Sequence, residues 1–137
     1  MFAVIVNPVS GGGEAAKLAI RVSERITALG QESRLFETAG DGDAARQTRA
    51  ALEAGCENVV CIGGDGTICE ATGELCYKDA TFYVVPGGTG NDFARAFRLP
   101  KDPMAAFESQ LAGEPVQIDC GRMNGKSFLN VSGSGFD

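Results

Sequence analysis

The stretch at residues 59–67, reading Val-Val-Cys-Ile-Gly-Gly-Asp-Gly-Thr, constrains this chain more than any other. Residues 59–62 are wholly apolar and mostly β-branched, the pattern of a strand buried on both faces in a parallel sheet. The run stops at Gly63, Gly64, Asp65, Gly66 and Thr67. Three glycines within four residues let the backbone turn sharply and let a ligand approach bare amides. Ile68, Ala71, Thr72 and Leu75 then recur at helical spacing. The unit is strand, glycine turn, helix. Such a turn attracts phosphate through exposed N–H groups and the helix dipole. It also reads as a plain βα turn with Asp65 as helix cap.

Two further turns have the same form. Residues 2–6 (Phe-Ala-Val-Ile-Val) run into Asn7, Pro8, Val9, Ser10, Gly11, Gly12 and Gly13. Residues 82–85 (Phe-Tyr-Val-Val) run into Pro86, Gly87, Gly88, Thr89, Gly90, Asn91 and Asp92. A helical spacing follows each. In a parallel sheet all three turns lie at the carboxyl ends of the strands, where open α/β folds bind ligands. Three glycine-rich turns with hydroxyls on one rim point to a nucleotide phosphate site.

These same residues resemble a known family. The segments at 7–11, 63–67 and 86–95 are similar to the three signatures of the diacylglycerol kinase catalytic domain, whose members phosphorylate lipid alcohols. The family is distantly related to NAD kinases, which share the Gly-Gly-Asp-Gly turn. The resemblance spans essentially the whole chain, and the ten-residue third segment is its most specific part. It implies a three-layer α/β/α, Rossmann-like parallel sheet followed by the start of an antiparallel β domain. It also implies ATP and Mg²⁺ as ligands.

The chain in order agrees with that fold. A first helix is expected at 14–29, with Ala15, Leu18, Ala19, Val22 and Ile26 as its apolar stripe and Gly30 as its stop. A strand at 33–38 leads to a second helix capped by Asp41 or Asp43. Leu99-Pro100 is expected to end the helix after the third turn. Asp102 and Pro103 then start another, as N-cap and first helical residue. After it the period changes to two: Val116, Ile118 and Cys120 alternate with polar residues, and Asn124-Gly125 signals a hairpin. The expected division is a nucleotide-binding α/β domain at 1–115 and, at 116–137, the first strands of a β-rich domain. In the resembled family that domain begins around a Gly-x-Gly-Phe-Asp segment, which 133–137 matches, so the chain reads as the amino-terminal part of a longer protein.

Composition narrows the function. The 137 residues carry a net charge of −6. With few cations to displace condensed counterions, this is no nucleic-acid binder, and it lacks the basic patch that docks proteins on anionic membranes. No apolar run approaches the ~20 residues of a membrane span. The expectation is a cytoplasmic protein, peripheral at the inner face of the membrane when it meets a lipid. Five cysteines without a Cys-x-x-Cys pair, and no histidine, leave no zinc ligand set and suggest reduced, packed thiols. The exposed edge of the terminal ribbon offers a route to a homodimer.

Phosphoryl transfer needs a phosphate cradle, Mg²⁺ and a group that takes the acceptor hydroxyl's proton. The cradle candidates are Asn7, Ser10, Gly11, Gly12, Gly63, Gly64, Gly66, Thr67, Gly87, Gly88 and Thr89. Asp65 is the candidate catalytic carboxylate, as Mg²⁺ ligand or as base. Asn91 and Asp92 are nucleotide-binding candidates that read equally as helix caps; Asp92 is expected to orient the third turn or bind adenine or ribose groups, and Arg95 pairs with Asp92 or a phosphate. Thr38 lies near the phosphates by resemblance, and otherwise is a strand-end hydroxyl. Glu70 contacts the metal or caps a helix. No Walker sequence exists, which excludes a P-loop NTPase. Two positions depart from many relatives: Gly12 stands where a cation often follows the first motif, leaving Lys17 as substitute, and Cys69 stands where Asn or His often precedes Glu. The leading function is transfer of the γ-phosphoryl of MgATP to diacylglycerol or a related lipid, the acceptor site lying in the further domain. The competing functions are an NAD-kinase-like enzyme and a nucleotide-binding module without transfer activity.

Overall fold

The computed structural model describes residues 1–40, 42–76, 78–87, 92–113, 118–123 and 126–131. Four parallel strands form the main sheet: β1 (Phe2–Val6), β2 (Ser33–Glu37), β3 (Asn58–Gly63) and β4 (Thr81–Pro86). Their order is β2-β1-β3-β4. β1 pairs with β2 in the register Val4↔Leu35 and with β3 in the register Val4↔Val60. β3 pairs with β4 in the register Cys61↔Val84. Four helices follow the strands in turn: α1 (Glu14–Ala28), α2 (Asp43–Glu53), α3 (Asp65–Leu75) and α4 (Asp92–Ala96); α5 (Pro103–Ala112) comes next.

The pleat decides which helix each strand residue meets. Phe2, Val4, Val6, Val60, Ile62 and Val85 turn to one face and pack on Ala15, Leu18, Ala19, Val22 and Ile26 of α1 and on Phe107 of α5. Ala3, Ile5 and Val59 turn to the other face, against Ala51 of α2. Cys61 and Val84 meet Ile68 and Ala71 of α3 on that face. Helices on both faces bury β1 completely and β3 from Val59 onward, which is why these sequences are apolar runs rather than alternations. The three-layer α/β/α expectation is met.

Helix ends follow local chemistry. After α1, the amide of Gly30 donates to Thr27 O and that of Gln31 to Ile26 O. After α2, Gly55 donates to Leu52 O and Cys56 to Ala51 O. Both are Schellman closures with glycine in the left-handed region, at φ +78° and +89°. α4 differs from expectation. It stops at Ala96, before Pro100, because Arg98 takes the left-handed position at φ +54° and Leu99 N–H returns to Ala94 O. α5 begins as expected, with the Asp102 carboxylate accepting from Ala105 N–H at 2.9 Å and Pro103 following.

The period-two segment forms an antiparallel ribbon, β5 (Ile118–Met123) with β6 (Lys126–Val131), separate from the main sheet. β6 runs alongside α3. The ribbon's pairing runs from Ile118↔Val131 to Met123↔Lys126. Asn124, Gly125, Val116 and the segment 133–137 lie outside the described residues.

Among the described residues, Cys56 and Cys61 are buried thiols and Cys69 an exposed one, none of them in a disulfide. Cys76, just past α3, is disulfide-bonded, so the expectation of reduced thiols throughout does not hold.

Candidate functional site

The strand order sets the place. From β1 the chain crosses to β2 on one side, and from β2 it crosses back over β1 to β3 on the other. The crevice of such a sheet opens at the carboxyl ends of the two central strands, where the crossing direction reverses. Here those are β1 and β3, and the residues that leave them are Asn7–Gly13 and Gly64–Thr67.

The three glycine turns converge there. The amide of Gly87 donates to Gly63 O at 3.0 Å, tying the end of β4 to the end of β3. A Cβ on Gly87 would lie 3.6 Å from Gly63 Cα, and one on Gly11 would lie 3.8 Å from Gly87 O. A Cβ on Gly63 would come within 3.0 Å of Thr67 Cβ. Side chains at Gly63 or Gly87 would fill the space through which the turns touch.

Each turn has its own construction. In the first, Asn7 folds the chain: its carbonyl accepts from Ser10 N–H at 3.0 Å and its Oδ1 from Val9 N–H at 3.3 Å. Gly11, Gly12 and Gly13 follow at φ +62°, +67° and +95°. α1 then starts on Gly13 with no side-chain cap. In the second turn, α3 starts on Gly64, again without a side-chain cap. Asp65 is therefore the first helical residue rather than the cap, half-buried at the positive end of the α3 dipole. The contrast with α5, which carries a conventional aspartate cap, is instructive. Neither helix has such a side-chain cap where the crevice opens; the Glu14 amide at the head of α1 returns to Gly11 O and Ser10 O, and helix-leading amides without an intrahelical partner are met by water or ligand.

The β2–α2 turn closes one flank. Thr38 is buried, and its amide extends the β1–β2 ladder by donating to Val6 O at 2.8 Å. α2 starts on Gly42, at φ +82°. Asp43, its first residue, accepts from Ala39 N–H at 2.7 Å and pairs with Arg46. The Ala39 amide, and then Arg46, hold the Asp43 carboxyl below the usual carboxylate range. Glu70 of α3 reaches across and accepts from Gly42 N–H at 3.1 Å and Ala44 N–H at 3.2 Å. So Glu70 is a cap, but of the neighbouring helix. One turn on, Arg49 and Glu74 make a second tie between α2 and α3 at 2.8 Å.

Residues 1–123 match the family model of the diacylglycerol kinase catalytic domain. The chain belongs to that family. It is 33% identical over 134 residues to a diacylglycerol kinase of Staphylococcus carnosus, covering 96% of this chain and 44% of that protein. It is 35% identical over 135 residues to one of Bacillus subtilis, covering 96% and 45%. A crystal structure of a diacylglycerol kinase from Bacillus anthracis superposes with a TM-score of 0.74 at 26% identity, covering 93% of this chain and 44% of that one. The chain thus spans less than half the length of these diacylglycerol kinase relatives.

Among the expected site residues of this diacylglycerol kinase domain, Asn7, Ser10, Gly11, Gly12, Gly63, Gly64, Asp65, Gly66, Thr67 and Gly87 belong to the converging turns, and Thr38 directly follows the adjoining strand β2. Gly88, Thr89 and Asn91 lie outside the described residues, and Asp92 is the first residue of α4. Lys17 pairs on the surface with Glu14 at 3.4 Å. Among the described residues no three His, Cys, Asp or Glu side chains form a metal-holding group, and no helix is long and apolar enough to cross a membrane. An open groove between α1 and β2, floored by Ala16, Ala19, Ile20 and Leu35, contains none of the glycines. The long-range role of Glu70 carried no local signal, whereas Asp43 acts on Ala39 and Arg46, four and three positions away. The nearest was the spacing of Glu70 five residues after Asp65.

Proposed function

We propose that this domain binds MgATP across the carboxyl ends of β1, β3 and β4, and serves a lipid kinase that passes the γ-phosphoryl group to the hydroxyl of diacylglycerol or a related lipid. The observation that carries the reading is the convergence of three glycine turns at the switch point, with α1 and α3 starting there on glycines without side-chain caps. Backbone amides so placed suit the β- and γ-phosphates. The names of the relatives support the lipid acceptor.

The residues suit Mg²⁺ of the kind that nucleotide enzymes use. Such an ion takes one or two carboxylates, with phosphate oxygens and water completing the octahedron. Asp65 is the carboxylate at the head of α3 that would hold it. Bound there, Mg²⁺ would neutralise charge that develops on the phosphates. In this reading the amides of residues 11–13 and 63–66 orient the triphosphate, and Ser10 and Thr67 add hydroxyl donors. Thr38 flanks the site from β2. Asp65 is also the candidate to accept the acceptor hydroxyl's proton.

Calorimetric titration of this chain with MgATP tests the first half. The second half is tested by phosphoryl transfer from MgATP to diacylglycerol in mixed micelles, with other lipid alcohols and NAD in parallel, by a protein carrying this domain and by its Asp65→Asn variant. Labelled lipid, reduced at least about a hundredfold in the variant, is the expected result. Labelled NAD moves the protein to the other branch. Nucleotide binding with no transfer to any acceptor overturns the kinase reading.

A further inference from the structure

We infer that Glu70 is a positioning residue for the nucleotide site, acting through the β2–α2 turn rather than on the nucleotide or its metal; the inference rests on the MgATP reading above. Glu70 shares α3 with Asp65 and Thr67, so its place relative to them is set by one rigid helix. Its two carboxylate oxygens each take one backbone amide from the start of α2, Oε2 from Gly42 and Oε1 from Ala44. Two accepted amides on an ionised group form a strong, directional tie. The cap of α2 is a glycine with no side chain of its own; the Asp43 amide returns to Gly40 O at 3.2 Å, and those of Gly42 and Ala44 depend on this reach from α3.

The turn is fixed at both ends by this means. At its start, Thr38 N–H is bonded to Val6 O, the last residue of β1. At its end, Gly42 and Ala44 are bonded to Glu70. Between them, Asp43 draws Ala39 N–H back at 2.7 Å. The segment carrying Thr38 is thereby registered against both phosphate turns, the one after β1 and the one after β3. A carboxylate whose oxygens are both engaged by amides is poorly placed to serve also as a metal ligand. The neighbouring Arg49–Glu74 pair joins the same two helices without touching the turn, which makes Glu74 a matched control.

The test uses this chain and three variants, Glu70→Ala, Glu70→Gln and Glu74→Ala. Amide hydrogen exchange reports on Gly42 and Ala44, and calorimetry reports the Kd for MgATP. The expected result is faster exchange at Gly42 and Ala44 and a Kd raised about tenfold in Glu70→Ala. Glu70→Gln, which keeps one acceptor, is expected to recover part of both. Glu74→Ala is expected to lose stability with an unchanged Kd. Faster exchange with an unchanged Kd reduces Glu70 to a purely structural cap and overturns the inference. So does a lost affinity with unchanged exchange, which marks a direct ligand. If the unaltered chain binds no MgATP, the reading of the site falls and the inference with it. If it binds and Glu70→Ala binds equally well, only the inference falls.

Discussion

The side-chain amide of Gln110 pairs with the backbone of Val84 as an extra strand residue would. Its Nε2 donates to Val84 O at 2.6 Å, and its Oε1 accepts from Val84 N–H at 2.8 Å. Val84 belongs to β4, the last strand of the sheet, and Gln110 projects from α5. An open strand edge is a template for pairing with another chain. One glutamine satisfies this edge at its centre. Gln110→Ala is therefore expected to lower stability by about 1–3 kcal/mol, because two backbone groups lose their partners. Urea denaturation measures it. Gln110→Glu is expected to fare no better, since a carboxylate cannot donate to Val84 O.

Gly63 and Thr67 lie too close for any other residue at position 63. A methyl there would stand 3.0 Å from Thr67 Cβ and 3.2 Å from its Oγ1. Gly63→Ala is expected to cost about 1–3 kcal/mol, the range for overpacking, and to weaken MgATP binding by displacing the Thr67 hydroxyl. A double-mutant cycle with Thr67→Gly checks this, since the clash is absent when position 67 has no Cβ and the two losses should then fall short of their sum.

Arg98 closes α4 in a backbone region that disfavours side chains. Arg98→Gly is expected to stabilise the chain by about 1 kcal/mol, the strain that an L residue carries there. Thermal unfolding measures the gain. Unchanged stability would mean that the Arg98 side chain makes compensating contacts.

Burial, and then the charge of Glu70, push the Cys61 thiol up to about 12 from an ordinary value of 9.0. In the unfolded chain it ionises first. Above pH 9 the unfolded state therefore holds fewer protons than the native state, and stability falls as pH rises. The slope from this thiol is about 1.4 kcal/mol per pH unit until the native thiol ionises near pH 12. Cys56 and Tyr83, also raised by burial, add to the same fall. Cys61→Ala is expected to be less stable at pH 7 yet to lose less between pH 9 and 11, as denaturant titrations at each pH would record.

Much of this architecture was legible in residues that answer to near neighbours. The apolar runs at 2–6 and 59–62, the glycine stops at 30 and 55, and the Asp102-Pro103 start all act within a few positions. The structure has each where the pattern puts it. The candidate site was legible as three turns because each turn is local. Their meeting was inferable only from the rule about strand ends. The contacts that cross the fold carried no such signal. Glu70 caps α2 across 26–28 positions, and Gln110 serves Val84 across 26. α4 closes at Arg98 because the chain there favours a Schellman return over composition, and nothing in an arginine announces it.

The run Gly11-Gly12-Gly13 also limits which residues this turn can hold. All three backbones lie at positive φ, and a Cβ on Gly12 or Gly13 would meet no neighbour within 4 Å. Space does not forbid a side chain there. What forbids it is handedness, since an L residue in that region loses about 1–2 kcal/mol against its own carbonyl. A mirror-image residue would carry no such strain. D-alanine at position 12, introduced by chemical ligation, should leave the turn intact and narrow the unfolded ensemble, while L-alanine at the same atom count should loosen it. At this turn chirality, and not volume, is what selects glycine from the twenty encoded residues.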